Sequence, residues 1–293
     1  MILQNTLFEP KSSWSVPDVF PQFSETETIA IDLETYDPHL MTCGPGWATG
    51  RGYIVGVGIA TEGWKGYFPI RHQGGGNLDE DIVLRWLRNT LASEKRDVIF
   101  HNALYDVGWL RREGVHVGGK ILDTIVAAPL VNENRYSYSL DNLGEFYCNE
   151  KKDESLLQNA ALSFGVNPKS EMYKLPSKFV GPYGEQDAAL TLKLWQKLKI
   201  EIQEQGLEKI LDMECRLIPL LLEIIIEIPK DIAEDKVSDW LFENEDKWTD
   251  AIENANNQAT LEYGFGLGDG MDEKDSEHEM RFDIVGEQYG GHI

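Results

Sequence analysis

The run Thr28-Ile-Ala-Ile-Asp-Leu-Glu34 is apolar and β-branched until its end, where acids alternate with Leu33. That composition reads as a buried strand whose last two acids, Asp32 and Glu34, share one face while Ile31 and Leu33 pack beneath. YIVGVGIAT (53–61) and WKGYFPI (64–70) follow as two more strands joined by the turn Glu62-Gly63, an antiparallel start. Residues 79–91 then place Ile82, Trp86, Leu87 and Leu91 at helical spacing, and DVIFH (97–101) is a short buried strand. A strand reached through a helix implies a crossover to parallel pairing, so the expectation is an α/β fold.

Downstream the pattern turns helical. Ala103 to Arg112 reads as a helix ended by Gly114, Asp123 to Val131 as another, and Ser139 to Tyr147 as a third. Pro176, Gly181 and Pro182 mark a break, and Pro182 is suited to the first turn of a helix from Tyr183 to about Gln205. Gly206 separates that helix from one spanning Glu208 to Ile228, which Pro229 stops. A domain boundary is placed near Gly206, dividing the chain into residues 1–206 and 207–293.

At 293 residues and 42% hydrophobic content the chain can fill a sizeable core. No apolar run approaches the roughly 18 residues of a membrane span, and MILQNTLFEPKSS lacks the regions of a signal peptide, so a cytoplasmic address is expected. Cys43, Cys148 and Cys215 lie far apart, without zinc spacing and in an odd number, and are expected to be reduced. The net charge of −23 opposes a simple nucleic-acid binder. However, residues 231–293 hold 18 acids against 4 bases, leaving only −9 for residues 1–230.

Asp-x-Glu occurs three times, at 32–34, 212–214 and 275–277, and only the first closes an apolar strand. Asn102 and Asp106 stand four apart where strand becomes helix; Tyr183 and Asp187 stand four apart one turn up a helix. Each pair taken alone has a bland reading, as a cap with a solvated acid or a half-buried tyrosine beside a surface acid. Their joint occurrence makes Asp32, Glu34, Asp106 and Asp187 a hard, oxygen-rich donor set. Without Cys or His partners, that set suits Mg²⁺ or Mn²⁺, ions used to cleave phosphodiesters.

These three segments resemble the exonuclease motifs of the DEDD superfamily, in the subtype marked by a tyrosine four residues before the last aspartate; a histidine subtype would need His where Pro182 stands. YFPIRHQGGGNLD, FHNALYDVGWLRREG, LDTIVAAPLVNENRYSYSLDNLGEFY and YGEQDAALTLKLW narrow the likeness. Over roughly residues 25–206 they resemble the proofreading domain of family A DNA polymerases, especially those of bacteriophages. MECRLIPLLLEI (213–224) is similar to the first thumb helix of such polymerases, and RFDIVGEQYG (281–290) to the segment that closes the thumb. Nothing resembling palm or fingers follows, so no polymerase activity is assigned to this chain.

The resemblance implies a ribonuclease H-like mixed five-stranded sheet flanked by helices, followed by a helical, acidic thumb-like segment. It implies metal-dependent 3′–5′ hydrolysis at single-stranded DNA ends, with two divalent ions. Asp32, Glu34 and Asp187 would hold the first, and Asp32 would share the second with Asp106. Tyr183 would orient the attacking water with Glu34. Thr35, Asn102 and Tyr105 would contact the terminal nucleotide, and Trp47, Tyr53 and Phe179 are candidates for base stacking or, more simply, for packing. The implied partners are single-stranded DNA 3′ ends and polymerase palm and fingers, on a separate chain or in a continuation of this one. The competing readings are an RNA-trimming exonuclease similar to ribonuclease D and a non-catalytic clamp or interaction module.

Overall fold

A computed structural model of the chain describes residues 9–227. Five strands form one sheet in the order β3-β2-β1-β4-β5: β1 (Ile29–Tyr36), β2 (Tyr53–Thr61), β3 (Trp64–Pro69), β4 (Val98–Phe100) and β5 (Ile121–Asp123). β1 to β3 pair antiparallel, whereas β4 pairs parallel with both β1 and β5, giving the expected mixed sheet. Between β1 and β2 lie two single-turn helices, α1 (Leu40–Cys43) and α2 (Gly46–Thr49). The crossover into β4 runs through α3 (Glu80–Leu91), capped by the Asp79 carboxylate, which accepts the Ile82 N–H. Next come α4 (Ala103–Arg112), α5 (Thr124–Val131), α6 (Leu140–Leu143), a π-helical turn over Gly144–Cys148, and α7 (Ser155–Phe164). The long α8 (Ser177–Gln205) and then α9 (Glu208–Glu227) complete the described residues.

Strand alternation divides the core between the two faces of the sheet. Ile29, Ile31 and Leu33 of β1 pack with α3, α4 and the distal part of α9, while Ala30 joins Ile99, Leu122, α5, α8 and the proximal part of α9 on the other face. Asp32 and Glu34 therefore lie on the α8 side. Their partners across the β1–β2 ladder are Gly58 and Gly56. A Cβ at Gly58 would stand 2.3 Å from the Gly184 carbonyl oxygen, and a Cβ at Gly56 would stand 2.1 Å from the Tyr67 hydroxyl. Bare backbone on β2 is what allows α8 to lie close enough to bring its side chains to the end of β1.

Three expectations change. First, α8 begins at Ser177 and contains Pro182, rather than starting at it. Pro182 cannot bond to the Lys178 carbonyl one turn back, and that oxygen accepts the Ser12 hydroxyl at 2.7 Å instead. Trp14 reinforces the repair by lying on Gly181 and donating its indole N–H to Glu185 at 2.7 Å. Second, β5 did not stand out as a strand, since three residues carry no periodicity. Third, the turn at Gly206 is real, with φ 68°, but does not part the cores, because Leu211, Cys215, Ile218 and Leu222 of α9 are buried against the sheet and its helices. The rest of the thumb-like segment, 228–293, and Pro229 lie outside the described residues. Among the described residues no helix is long and apolar enough to cross a membrane.

Candidate active site

β1 delivers Asp32 and Glu34 at the centre of the sheet, and a bulge between Glu34 and Thr35 bends the strand immediately beyond them. α8 delivers Tyr183 and Asp187 from above, one turn apart. Asp32, Glu34 and Asp187 each offer an oxygen, and the three oxygens lie within 4.8 Å of one another. Glu34 and Asp187 are buried and Asp32 is half-buried. Glu34 Oε1 and Asp187 Oδ1 are buried with no hydrogen-bond partner. Three converging carboxylates, two of which carry a buried oxygen without a partner, are an arrangement that a hard cation completes, and the all-oxygen donors fit Mg²⁺ or Mn²⁺.

Asp106, buried on α4, stands outside that triad, and the acid that acts on it most strongly is Asp32. Burial pushes its carboxyl well above the usual range; Asp32 and Asp123 push further, and a backbone hydrogen bond from Leu33 opposes them. The N-terminus of α4 is held by a residue with no foreseen role. Asp123 accepts the N–H groups of Asn102 (2.9 Å), Ala103 (2.7 Å) and Ile125 (2.9 Å). Asn102 is left-handed there (φ 80°, ψ 58°) and does not cap α4 through its side chain. Asp123 thus ties the first turn of α4 to that of α5 and sets where Asp106 points.

Two of the proposed nucleotide contacts, Thr35 and Tyr105, meet beside the bulge. The Tyr105 hydroxyl donates to Asp37 Oδ2 at 3.1 Å, which leaves its oxygen to accept from Thr35 Oγ1 at 2.8 Å. Tyr36 stacks near Tyr173 (4.3 Å between centroids) and Tyr53 (5.1 Å), so Tyr53 belongs to an aromatic cluster. Trp47 and Phe179 are core residues, 6% and 0% exposed, as the packing alternative required.

Lys152 was not anticipated at all. Its ammonium lies 3.0 Å from Asp187 Oδ2, 3.2 Å from Asp141 Oδ1 and 3.4 Å from the Tyr183 hydroxyl, with a side chain only 9% exposed. The only signal in the sequence is a lysine inside Glu150-Lys-Lys-Asp-Glu154, which reads as solvated.

Enclosure sets the electrostatics. Burial, then the charge of Asp187, pushes the Asp32 carboxyl up to about 8, against the pull of Lys152. Glu34 is raised well above the usual range by burial and then by Asp32. Asp187 is raised to about 6 by burial, although Lys152 and Tyr183 pull it down. Raised carboxyls mean the folded protein binds more protons than the unfolded chain from about pH 4 to about 8, so its metal-free stability falls as pH rises through that window. A divalent cation removes the penalty. Thermal melts should show Mn²⁺ or Mg²⁺ raising Tm most near pH 8 and little near pH 5; a pH-independent increment would contradict this electrostatic reading.

Residues 16–203 match the sequence family described as 3′-5′ exonuclease. Over 228 residues the chain is 40% identical to a DNA-directed DNA polymerase of Pseudomonas phage M6, covering 75% of this chain and 34% of that protein. It is 26% identical over 213 residues to DNA polymerase I of Pseudomonas aeruginosa, covering 69% of this chain and 22% of the relative. The chain thus spans about a third of the length of the first of these relatives. In fold it is similar to Brucella melitensis NrnC, with a TM-score of 0.51 and 14% identity over 71% of this chain and 90% of that one.

Proposed function

The chain belongs to the 3′-5′ exonuclease family, as an exonuclease domain of the family A DNA polymerase type, and from that membership we propose a specific task. It removes nucleotides one at a time from single-stranded DNA 3′ ends, as the proofreading part of a phage-type polymerase. The observation that carries this reading is the triad of Asp32, Glu34 and Asp187, closing within 4.8 Å on the helix that bears Tyr183 and leaving two buried oxygens without partners.

Asp32, Glu34 and Asp187 would hold one Mg²⁺ or Mn²⁺, and Asp32 with Asp106 a second. Bound there, such ions supply a nucleophilic water at neutral pH and stabilise charge on the departing 3′ oxygen. The protein's part is positioning. The phenol of Tyr183 is raised well above its ordinary value by burial and by the charges of Asp187 and Glu34. It therefore stays protonated and orients water rather than acting as a base. Thr35, next to Glu34 on β1, and Asn102, at the start of α4, would contact the terminal nucleotide. Tyr105, whose hydroxyl is fully engaged, contributes its ring face and holds Thr35. A base inside a duplex cannot reach such a site, so the substrate end is frayed. The palm and fingers belong either to another chain or to a continuation of this one, in keeping with relatives roughly three times as long.

The test is release of mononucleotides from a labelled single strand. Tyr183→Phe removes one orienting hydrogen bond and no metal ligand, so the expected loss in kcat is roughly 10- to 1000-fold. Undiminished release by Tyr183→Phe would remove the tyrosine from the mechanism; release in excess chelator would remove the metals.

A further inference from the structure

Lys152 is carried to the site by a loop that its neighbours anchor. The chain leaves the π-helical turn through Asn149 in the left-handed region (φ 52°), and Asp153 then donates its N–H to Gln186 of α8 at 3.2 Å while its carboxylate accepts the Ser155 N–H at 3.0 Å. Pinned on its C-terminal side, the loop turns Lys152 under α8, with its ammonium 5.0 Å from the centre of the Tyr183 ring.

An ammonium group has three hydrogens, and three acceptors surround this one: Asp187 Oδ2, Asp141 Oδ1 and the Tyr183 oxygen. Its donors are all engaged within the protein, so it has none to offer a substrate phosphate. What it does is restrict its partners. By donating into the Tyr183 oxygen at 3.4 Å it occupies a lone pair of that hydroxyl and so holds it as a donor, with its single hydrogen turned toward Asp187 at the site. Its bond to Asp187 Oδ2 leaves Oδ1 as the oxygen with no partner. We propose that Lys152 is a positioning residue of the exonuclease site, which acts through Tyr183 by fixing its hydroxyl as a donor to the attacking water.

The inference rests on the exonuclease reading, and the experiment separates the two. Single-turnover kcat and KM on a single-stranded DNA substrate are measured for the wild type, Lys152→Met, Tyr183→Phe and the double variant, with Mn²⁺ binding by titration calorimetry on each protein without DNA. If Lys152 acts through Tyr183, Lys152→Met lowers kcat by no more than the roughly 10- to 1000-fold expected of Tyr183→Phe, and the double variant is no slower than Tyr183→Phe alone. KM stays within about twofold, since no substrate contact is lost. Mn²⁺ affinity does not fall, because the substitution removes a positive charge beside a ligand. Losses that multiply in the double variant, a loss expressed mainly in KM, or weakened Mn²⁺ binding in Lys152→Met would each overturn the proposal. Thermal melts confirm folding, and the cycle is repeated with Lys152→Leu if Lys152→Met melts below the assay temperature. A wild-type chain that cleaves nothing would sink the exonuclease reading itself, whereas an active wild type with multiplying losses sinks only the role of Lys152.

Discussion

Asp32→Ala and Asp187→Ala are each expected to reduce mononucleotide release to the level seen in excess chelator, a loss on the order of 10⁴-fold or more, because each removes an oxygen from the cation site rather than a hydrogen bond around it. Folding effects can be separated from chemistry by the direction of the melt. Asp32 is a carboxyl whose ionisation enclosure opposes, so its removal relieves repulsion with Asp187 and Glu34. The metal-free Asp32→Ala protein should therefore melt at or above the wild type near pH 8 while being inactive. Asp187→Ala differs, because it leaves Lys152 with Asp141 and Tyr183 alone, and loss of a partner for a largely buried ammonium is destabilising. Inactivity with raised or unchanged Tm in Asp32→Ala is the signature of a metal ligand. Inactivity with a collapsed melt would instead make Asp32 a folding residue.

The second large effect concerns α9. Ending the chain at Gly206 strips Leu211, Ile218 and Leu222 from the core, each worth about 1.5–3 kcal/mol of burial, a sum comparable to the roughly 5–15 kcal/mol by which whole domains are stable. It also removes Asp212, buried and ion-paired with Lys120 and Arg216, leaving Lys120 without its partner. A chain of residues 1–206 should be unfolded or aggregated and inactive, whereas residues 1–227 should fold and cleave. Circular dichroism melts and the strand-release assay on both truncations decide this. A cooperative melt and full activity in residues 1–206 would show that α9 merely rests on the sheet.

The reason α9 was hard to place from sequence is physical. Its apolar periodicity announces a buried face but not what buries it, and Gly206, a left-handed helix end, looks the same whether the next helix leaves the domain or folds back onto it. The site was more legible. Strand and helix periods place Asp32 with Glu34 and Tyr183 with Asp187 on shared faces, their joint occurrence and the family resemblance singled them out, and the structure brings the three carboxylates together. Asp106 was found by spacing and feels the charge of Asp32, yet its orientation depends on Asp123, whose buried bonds to three backbone N–H groups leave no mark in composition. Lys152 was invisible for the opposite reason, since a lysine in a charged loop reads as solvated until the loop is seen pinned to α8. The start of α8 was misplaced because Pro182 normally breaks a helix, and only tertiary contact with Ser12 reveals where the freed carbonyl finds its donor.

The most direct test compares one single-stranded DNA labelled at its 3′ end with the same strand labelled at its 5′ end, incubated with the wild-type chain and Mn²⁺, alongside an RNA strand of the same sequence. The 3′ label should leave at once as a mononucleotide, the 5′ label should persist in a ladder shortening one nucleotide at a time, and the RNA should be cut more slowly. Release of the 5′ label first, internal cuts, preferential trimming of the RNA, or an intact strand in the presence of folded, Mn²⁺-bound protein would contradict a 3′–5′ deoxyribonuclease built on Asp32, Glu34, Asp106 and Asp187.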